Sequence, residues 1–190
     1  MVCLKTGQEL AVNRDFRSEV WSYRGLYIFL GLGIIFLKIL PIPQTAGAWP
    51  YPDILLCLTI SWIIRRPEYL PTLLIAFMFL LTDLFLMRPP GLMAFGVLAG
   101  TEFLRNRIYI LRELSLIGEW IVVSLVIILI FALTHVIAFL TVISTTNFGL
   151  EMIGGLTSIA AYPLVVWVSN AFFKVHKPAM GEVDERGHRR

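Results

Sequence analysis

Long apolar segments separated by short polar ones dominate this chain. The longest, residues 120–143, is long enough to cross a bilayer as a helix, which takes about 20 residues. Prolines, glycines and charged residues interrupt the pattern between segments, as is typical of helix ends. The pattern predicts six membrane-spanning helices, at residues 25–40, 53–64, 71–87, 91–104, 120–143 and 151–173. The second of these is the shortest and the weakest match to the thickness of a bilayer.

The two ends of the chain differ from this pattern. In residues 1–23, Val12, Phe16 and Val20 recur at helical spacing among polar and basic residues. This predicts either a short helix lying on the membrane surface or a frayed cytoplasmic tail. Residues 24–174 then form the six-helix membrane domain, and residues 175–190 form a charged cytoplasmic tail whose composition is typical of disorder.

Composition agrees with a membrane protein. Of the 190 residues, 57% are hydrophobic and only 15% are charged, whereas a soluble domain is about 45–50% apolar and about 25% charged. The net charge of +3 and the pI of about 9.0 come from basic residues at the ends of apolar segments. Because these residues form no continuous patch, we expect no nucleic-acid partner.

The basic residues also predict the orientation of the helices. With six spans and a cytoplasmic N-terminus, all but two of the 16 lysines and arginines lie on the cytoplasmic side, and only Lys38 and Arg88 lie outside. That asymmetry follows the positive-inside rule. Both termini are therefore expected in the cytoplasm. The predicted cytoplasmic set is Lys5, Arg14, Arg17, Arg24, Arg65, Arg66, Arg105, Arg107, Arg112, Lys174, Lys177, Arg186, Arg189 and Arg190.

A tight turn joins the third and fourth predicted helices. Proline lacks a backbone N–H and glycine permits sharp bends, so residues 88–91 end one helix and begin the next. Asp83 lies just inside this turn, where a charged side chain is costly in free energy unless it is paired or has a functional role. It is interpreted either as an ion pair with Lys38 or Arg88, or as a ligand or proton site.

Further polar residues are expected near the same outer end of the bundle. Asp53 precedes the second helix and is expected to cap its first N–H groups. The candidates for partner binding or structural pairing are Lys38, Asp53, Asp83, Arg88, Pro89, Pro90 and Gly91.

Other residues have structural interpretations. His135 lies midway along the fifth span with no second titratable group expected at its depth, which favours an interhelical hydrogen bond over proton transfer. Glu102 is expected to pair with Arg105 or Arg107. Ile108 and Leu114 begin and end a stripe expected to lie against the cytoplasmic membrane surface.

Small residues predict close helix packing. Gly96 and Gly100 in the fourth span, and Gly154 and Ser158 in the sixth, follow the small-xxx-small spacing that lets helix backbones approach each other. The two cysteines and three histidines have no metal-ligand spacing, so no metal site is expected. No catalytic motif is present, and the chain is interpreted as a non-enzyme without cofactors.

The order of these features resembles the MreD family of bacterial rod shape-determining membrane proteins. The similarity covers about residues 25–173 and includes Pro52-Asp53, the helix ending in Asp83, and the subsequent Pro90-Gly91. The runs Arg65-Arg66-Pro67, Arg88-Pro89-Pro90-Gly91 and Thr101-Glu102-Phe103-Leu104-Arg105 are similar to one branch of that family.

The resemblance implies a fold and a function. The fold is an all-α integral membrane protein, a six-helix bundle similar to the substrate-binding subunits of energy-coupling-factor transporters. The implied location is the bacterial inner membrane, and the function is a scaffold of the elongasome that supports cell shape and lateral peptidoglycan synthesis. Its implied partners are MreC, RodA, the elongasome transpeptidase and MreB, together with membrane lipid. The alternative is a small-molecule-binding subunit of a transporter, and homodimerisation stays open.

Overall fold

The computed structural model describes residues 2–40, 51–141 and 148–173, and side-chain surroundings within 20–40, 51–141 and most of 149–171. Throughout those ranges the chain is helical and contains no strand. Residues 41–50, between the first and second predicted helices, and the predicted tail from residue 175 lie outside them. The elements are α1 (Val2–Ile39), α2 (Ile54–Arg65), a 3₁₀ turn (Pro67–Tyr69), α3 (Thr72–Phe85), α4 (Leu92–Asn106), α5 (Ile108–Glu113), α6 (Leu116–Leu140) and α7 (Phe148–Phe173).

Three of these helices carry segments long and apolar enough to cross a membrane. The segments are Val20–Ile39 of α1, Leu116–Leu140 of α6 and Glu151–Ala171 of α7. Helices α2 and α3 are also apolar but have only 12 and 14 residues. The prediction of a helical membrane protein is thereby confirmed, while membrane crossing by the shorter helices stays a prediction.

Helix α2 lies at the centre of the bundle. Eleven of its 12 residues are buried, so it has no face turned to the outside except at Ile54. A helix that is apolar on all sides is stable only when other helices surround it. Helices α1, α4, α5 and α7 all contact α2, and its Leu55, Ile60 and Trp62 form much of the core.

Glycines set the distance between α4 and α6. A Cβ at Gly96 would lie 2.8 Å from Thr134 Cγ2, and one at Gly100 would lie 2.6 Å from Ile130 Cδ1. Both distances are too short for a side chain at unchanged helix spacing. These two glycines therefore allow α6 to pack directly on the backbone of α4.

Two local features differ from the sequence predictions. Helix α1 continues without interruption through residue 24, so the N-terminal segment and the first span form one 38-residue helix. In α5, Ile108 and Leu111 are buried in contact with the bundle, because α5 packs on α2, α4 and α6. The predicted stripe against the membrane surface is therefore part of the protein's own core.

Candidate functional site

Polar side chains gather at the two ends of the central helix α2. We call the group formed by Lys38, Asp53, Cys57 and Ser158 the Asp53 cluster. We call the group formed by Ser61, Arg65, Glu119, Tyr162 and Asn170 the Arg65 cluster. Each cluster joins α2 to other helices, and each contains one ion pair.

In the Asp53 cluster, one carboxylate both caps a helix and pairs with a cation. Asp53 Oδ1 accepts hydrogen bonds from Lys38 Nζ at 2.9 Å and from the Leu56 N–H at 3.3 Å. The second of these satisfies an N–H at the start of α2 that has no partner within the helix, as predicted for a cap. The backbone N–H of Asp53 donates to Ser158 Oγ at 2.6 Å, which ties α2 to α7.

Cys57 extends this connection one turn further into the bundle. Its thiol donates to the Ser158 carbonyl at 3.3 Å and is buried. Ser158 Oγ in turn donates to the Gly154 carbonyl at 2.7 Å. Of the two small residues predicted on α7, Ser158 therefore contacts α2. Gly155, next to Gly154, approaches the Phe131 ring of α6.

Asp83 acts as a helix cap and forms no salt bridge with any side chain that the structure describes. Its Oδ2 accepts hydrogen bonds from the N–H groups of Gly91 at 3.0 Å and Ala94 at 3.3 Å, at the start of α4. The predicted pairing of Asp83 with Lys38 is wrong, because Lys38 pairs with Asp53. Arg88, the other predicted partner, acts on the Asp83 carboxylate electrostatically without a salt bridge between them. The carboxylate is instead balanced by the positive end of the α4 dipole.

The turn between α3 and α4 makes this capping possible. Gly91 adopts the left-handed conformation, with a φ of 88°, which a residue with a side chain rarely adopts. The Arg88 N–H donates to the Asp83 carbonyl at 3.0 Å, and the Leu92 N–H donates to the Pro89 carbonyl at 3.3 Å. Arg88 and Pro89 therefore shape the turn through their backbones, while Pro90 is exposed.

The Arg65 cluster is a more deeply buried network. Arg65 Nη1 donates to Glu119 Oε1 at 3.2 Å and to Ser61 Oγ at 3.2 Å, while its Nε donates to Asn170 Oδ1 at 3.1 Å. The Tyr162 hydroxyl donates to the same Glu119 oxygen at 2.8 Å. The side chains of Arg65 and Glu119 are only 2% and 1% exposed. One ion pair therefore links α2, α6 and α7.

Two neighbouring contacts complete this end of α2. Arg112 donates from Nε to the Ile64 carbonyl at 3.3 Å and from Nη2 to the Arg65 carbonyl at 3.2 Å. A cation at this position satisfies carbonyls that a helix C-terminus leaves without partners. Trp62 Nε1 also donates to Ser169 Oγ of α7 at 2.9 Å.

The sequence predictions do not include the Arg65 cluster. They place Arg65 only among the cytoplasmic basic residues and give no role to Glu119. A signal was nevertheless present, because Arg65 lies in the last turn of one apolar helix and Glu119 in the first turn of another. In an alternating topology, those two positions lie at the same end of the bundle.

The structure also shows which side chains lie next to His135 and Glu102. His135 Nε2 lies 3.2 Å from Glu151 Oε2, and its Nδ1 lies 2.8 Å from the Phe131 carbonyl. The prediction that no titratable group lies at the depth of His135 is therefore wrong. Glu102 Oε1 lies 3.7 Å from Arg105 Nε, which is one of its two predicted partners.

An apolar groove of 650 Å³ lies between α1 and α3. It is lined mostly by aliphatic and aromatic side chains, and Lys38, Asp53, Asp83 and Arg88 are not among them. Among the described residues, no three His, Cys, Asp or Glu side chains come together as a metal site would require. The polar groups of both clusters are arranged to hold helices together.

A scan against protein-family models, a search of curated proteins and a search of solved structures found no match to this chain. Its function must therefore be argued from its own residues and geometry, together with the resemblance carried by its motifs.

Proposed function

We propose that this protein is a non-enzymatic membrane scaffold of the elongasome, which supports cell shape and lateral peptidoglycan synthesis by binding MreC and the associated synthases. The observation that carries the proposal is the Arg65–Glu119 pair, whose side chains are 2% and 1% exposed and bonded across three helices. A charged pair committed to such contacts supports helix assembly and has no access to a substrate. The resemblance to MreD supplies the cellular role.

The proposed topology has six membrane crossings with both termini in the cytoplasm of a bacterial inner membrane. Helices α2, α3 and α4 have 12, 14 and 15 residues, which at 1.5 Å per residue correspond to about 18–22 Å. Helix α2 is enclosed by other helices and does not have to match the bilayer by itself. Helix α3 exposes an apolar stripe suited to lipid, formed by Leu73, Phe77, Leu80 and Leu84.

In this topology, the Arg65 cluster faces the cytoplasm and the Asp53 cluster faces outward. The positive-inside rule supports this assignment, because Arg65, Arg66, Arg105, Arg107 and Arg112 all lie near the Arg65 end. The partner-binding faces of the scaffold are then the exposed apolar sides of its helices. On α6 these include Ile121, Leu125, Ile128 and Leu129.

Affinity capture from gently solubilised membranes tests this function. Tagged full-length protein is expected to retain MreC, and depletion of the protein from a rod-shaped bacterium that encodes it is expected to produce round cells. A photo-crosslinking residue at Leu125 of α6, compared with one at exposed Tyr109 of α5, would locate the contact. Cells that keep their rod shape after complete depletion would contradict the proposal.

The alternative function is a small-molecule-binding subunit of a membrane transporter. It is favoured by the partial exposure of the Lys38–Asp53 pair, whose side chains are 20% and 11% exposed at the proposed outer end. It predicts that purified protein retains a polar ligand and that Asp53→Asn releases it. Absence of any retained compound, together with MreC capture, would decide for the scaffold.

A further inference from the structure

The groove between α1 and α3 has one charged end. Ile28 of α1 and Leu73, Phe77 and Leu80 of α3 form apolar walls, while Trp21 and Arg24 line it near the start of α3. Leu73 is 84% exposed and Phe77 is 55% exposed, so the walls open toward the surface of the bundle. In a membrane, this groove would be open to the bilayer along its length.

Arg24 retains hydrogen-bonding capacity at that end. Its guanidinium carbon lies 5.5 Å from the centre of the Trp21 ring, and its Nη2 donates to the Glu68 carbonyl at 3.4 Å. Its Nε–H is buried and has no hydrogen-bond partner among the side chains that the structure describes. Among those side chains, no carboxylate pairs with the guanidinium. The charge of Arg24 is thus not neutralised by those side chains.

An apolar groove that ends in an arginine and a tryptophan matches the chemistry of a phospholipid. Tryptophan is enriched at the level of lipid headgroups, and basic residues between membrane helices bind anionic headgroups. The planar guanidinium can donate two parallel hydrogen bonds to a phosphate. A partner helix would fill the apolar part of the groove, but only one with a carboxylate at the level of Arg24 would also supply the anion.

We propose that this groove binds an anionic phospholipid, with an acyl chain between α1 and α3 and the headgroup phosphate on Arg24. The proposal requires only that the bundle lies in a membrane, and it does not depend on the scaffold function. Phosphatidylglycerol carries the required charge, whereas phosphatidylcholine has the same acyl chains and no net charge. Both lipids carry a phosphate, so comparing them tests whether the groove selects a headgroup with net negative charge.

Native mass spectrometry of the full-length protein in a neutral detergent tests the headgroup contact. The wild type is expected to bind phosphatidylglycerol more tightly than phosphatidylcholine, by roughly fivefold for one interfacial arginine. Arg24→Gln should abolish this preference, and Arg24→Lys should keep most of it. Arg107→Gln, which removes an exposed arginine that does not line the groove, is the matched control and should leave the preference unchanged.

The groove itself is tested separately. Ala76 lines it, and Ala76→Phe should weaken binding of both lipids alike by filling space needed by the acyl chain. Equal binding of the two lipids by the wild type, or equal preference in Arg24→Gln and Arg107→Gln, would overturn the proposal. A photo-crosslinker at Phe77 that captures a polypeptide in place of lipid in native membranes would also overturn it. Because Arg24→Gln leaves the core intact, the test stands even if Ala76→Phe fails to fold.

Discussion

The two polar clusters at the ends of α2 contain similar ion pairs in different surroundings. Lys38 and Asp53 keep 20% and 11% of their side-chain surface exposed, whereas Arg65 and Glu119 keep 2% and 1%. A partly exposed pair contributes little because water competes with each partner. A buried pair contributes little net stability either. Removing one partner is nevertheless strongly destabilising, because the other charge stays buried without compensation. Burial therefore decides what a mutation does, even when the distances are alike.

The largest expected effect is loss of one partner in the Arg65 cluster. Arg65→Met removes the cation that lies 3.2 Å from the buried Glu119 carboxylate and should lower the free energy of unfolding by about 3–5 kcal/mol. Tyr162 donates a single hydrogen bond to that carboxylate and cannot replace the charge. The measurement is the unfolding transition of the purified protein in detergent.

The control for that substitution is Arg107→Met, which removes an exposed arginine from the same end of the bundle. It should change the free energy of unfolding by no more than about 0.5 kcal/mol. If Arg65→Met and Arg107→Met unfolded at the same midpoint, burial of the arginine would not determine how much stability its removal costs.

A smaller effect is expected at the α3–α4 turn. Asp83→Ala removes the acceptor for two N–H groups at the start of α4, and should destabilise the protein by about 1–2 kcal/mol. Glu102→Ala should have a smaller effect, within about 0.5 kcal/mol, because the Glu102 side chain is 45% exposed. Yields of folded protein and unfolding midpoints would test this order. Equal values for both variants would contradict the capping role of Asp83.

A small effect is also expected from Lys38→Met in the Asp53 cluster. It removes the ion pair but leaves Asp53 capping α2 through the Leu56 N–H. We expect a loss of less than about 1 kcal/mol, measured as the same unfolding transition. A loss as large as that of Arg65→Met would show that the Asp53 cluster is as desolvated as the Arg65 cluster, and the contrast between them would fail.

These clusters also show which features of the fold can be predicted from the sequence. Except at the start of α1, the apolar pattern predicts helices near their observed bounds. Asp53 is recognisable as a cap because a cap bonds to an N–H only three residues away. The partner of Lys38 is not recognisable in this way. Asp53 and Asp83 both lie at the expected outer end, and only the packing of α1 on α2 selects Asp53.

The Arg65 cluster is even harder to predict from local sequence patterns. Arg65 and Glu119 are 54 positions apart, and Asn170 is another 51 positions along the chain. The charge of Arg65 fits the positive-inside rule on its own, so nothing in its neighbourhood requires a buried partner. The burial of α2 on all sides is equally hidden, because an apolar helix that faces lipid has the same composition as one enclosed by protein.

We propose that the buried charges of the Arg65 cluster hold the bundle together and take part in no reaction. The double variant Arg65→Met/Glu119→Leu tests it most directly, because it removes both charges and leaves neither one stranded. We predict that the double variant recovers most of the stability lost in Arg65→Met, captures MreC as the wild type does and supports rod-shaped growth. A double variant that unfolds at the wild-type midpoint but yields round cells without MreC capture would contradict the claim.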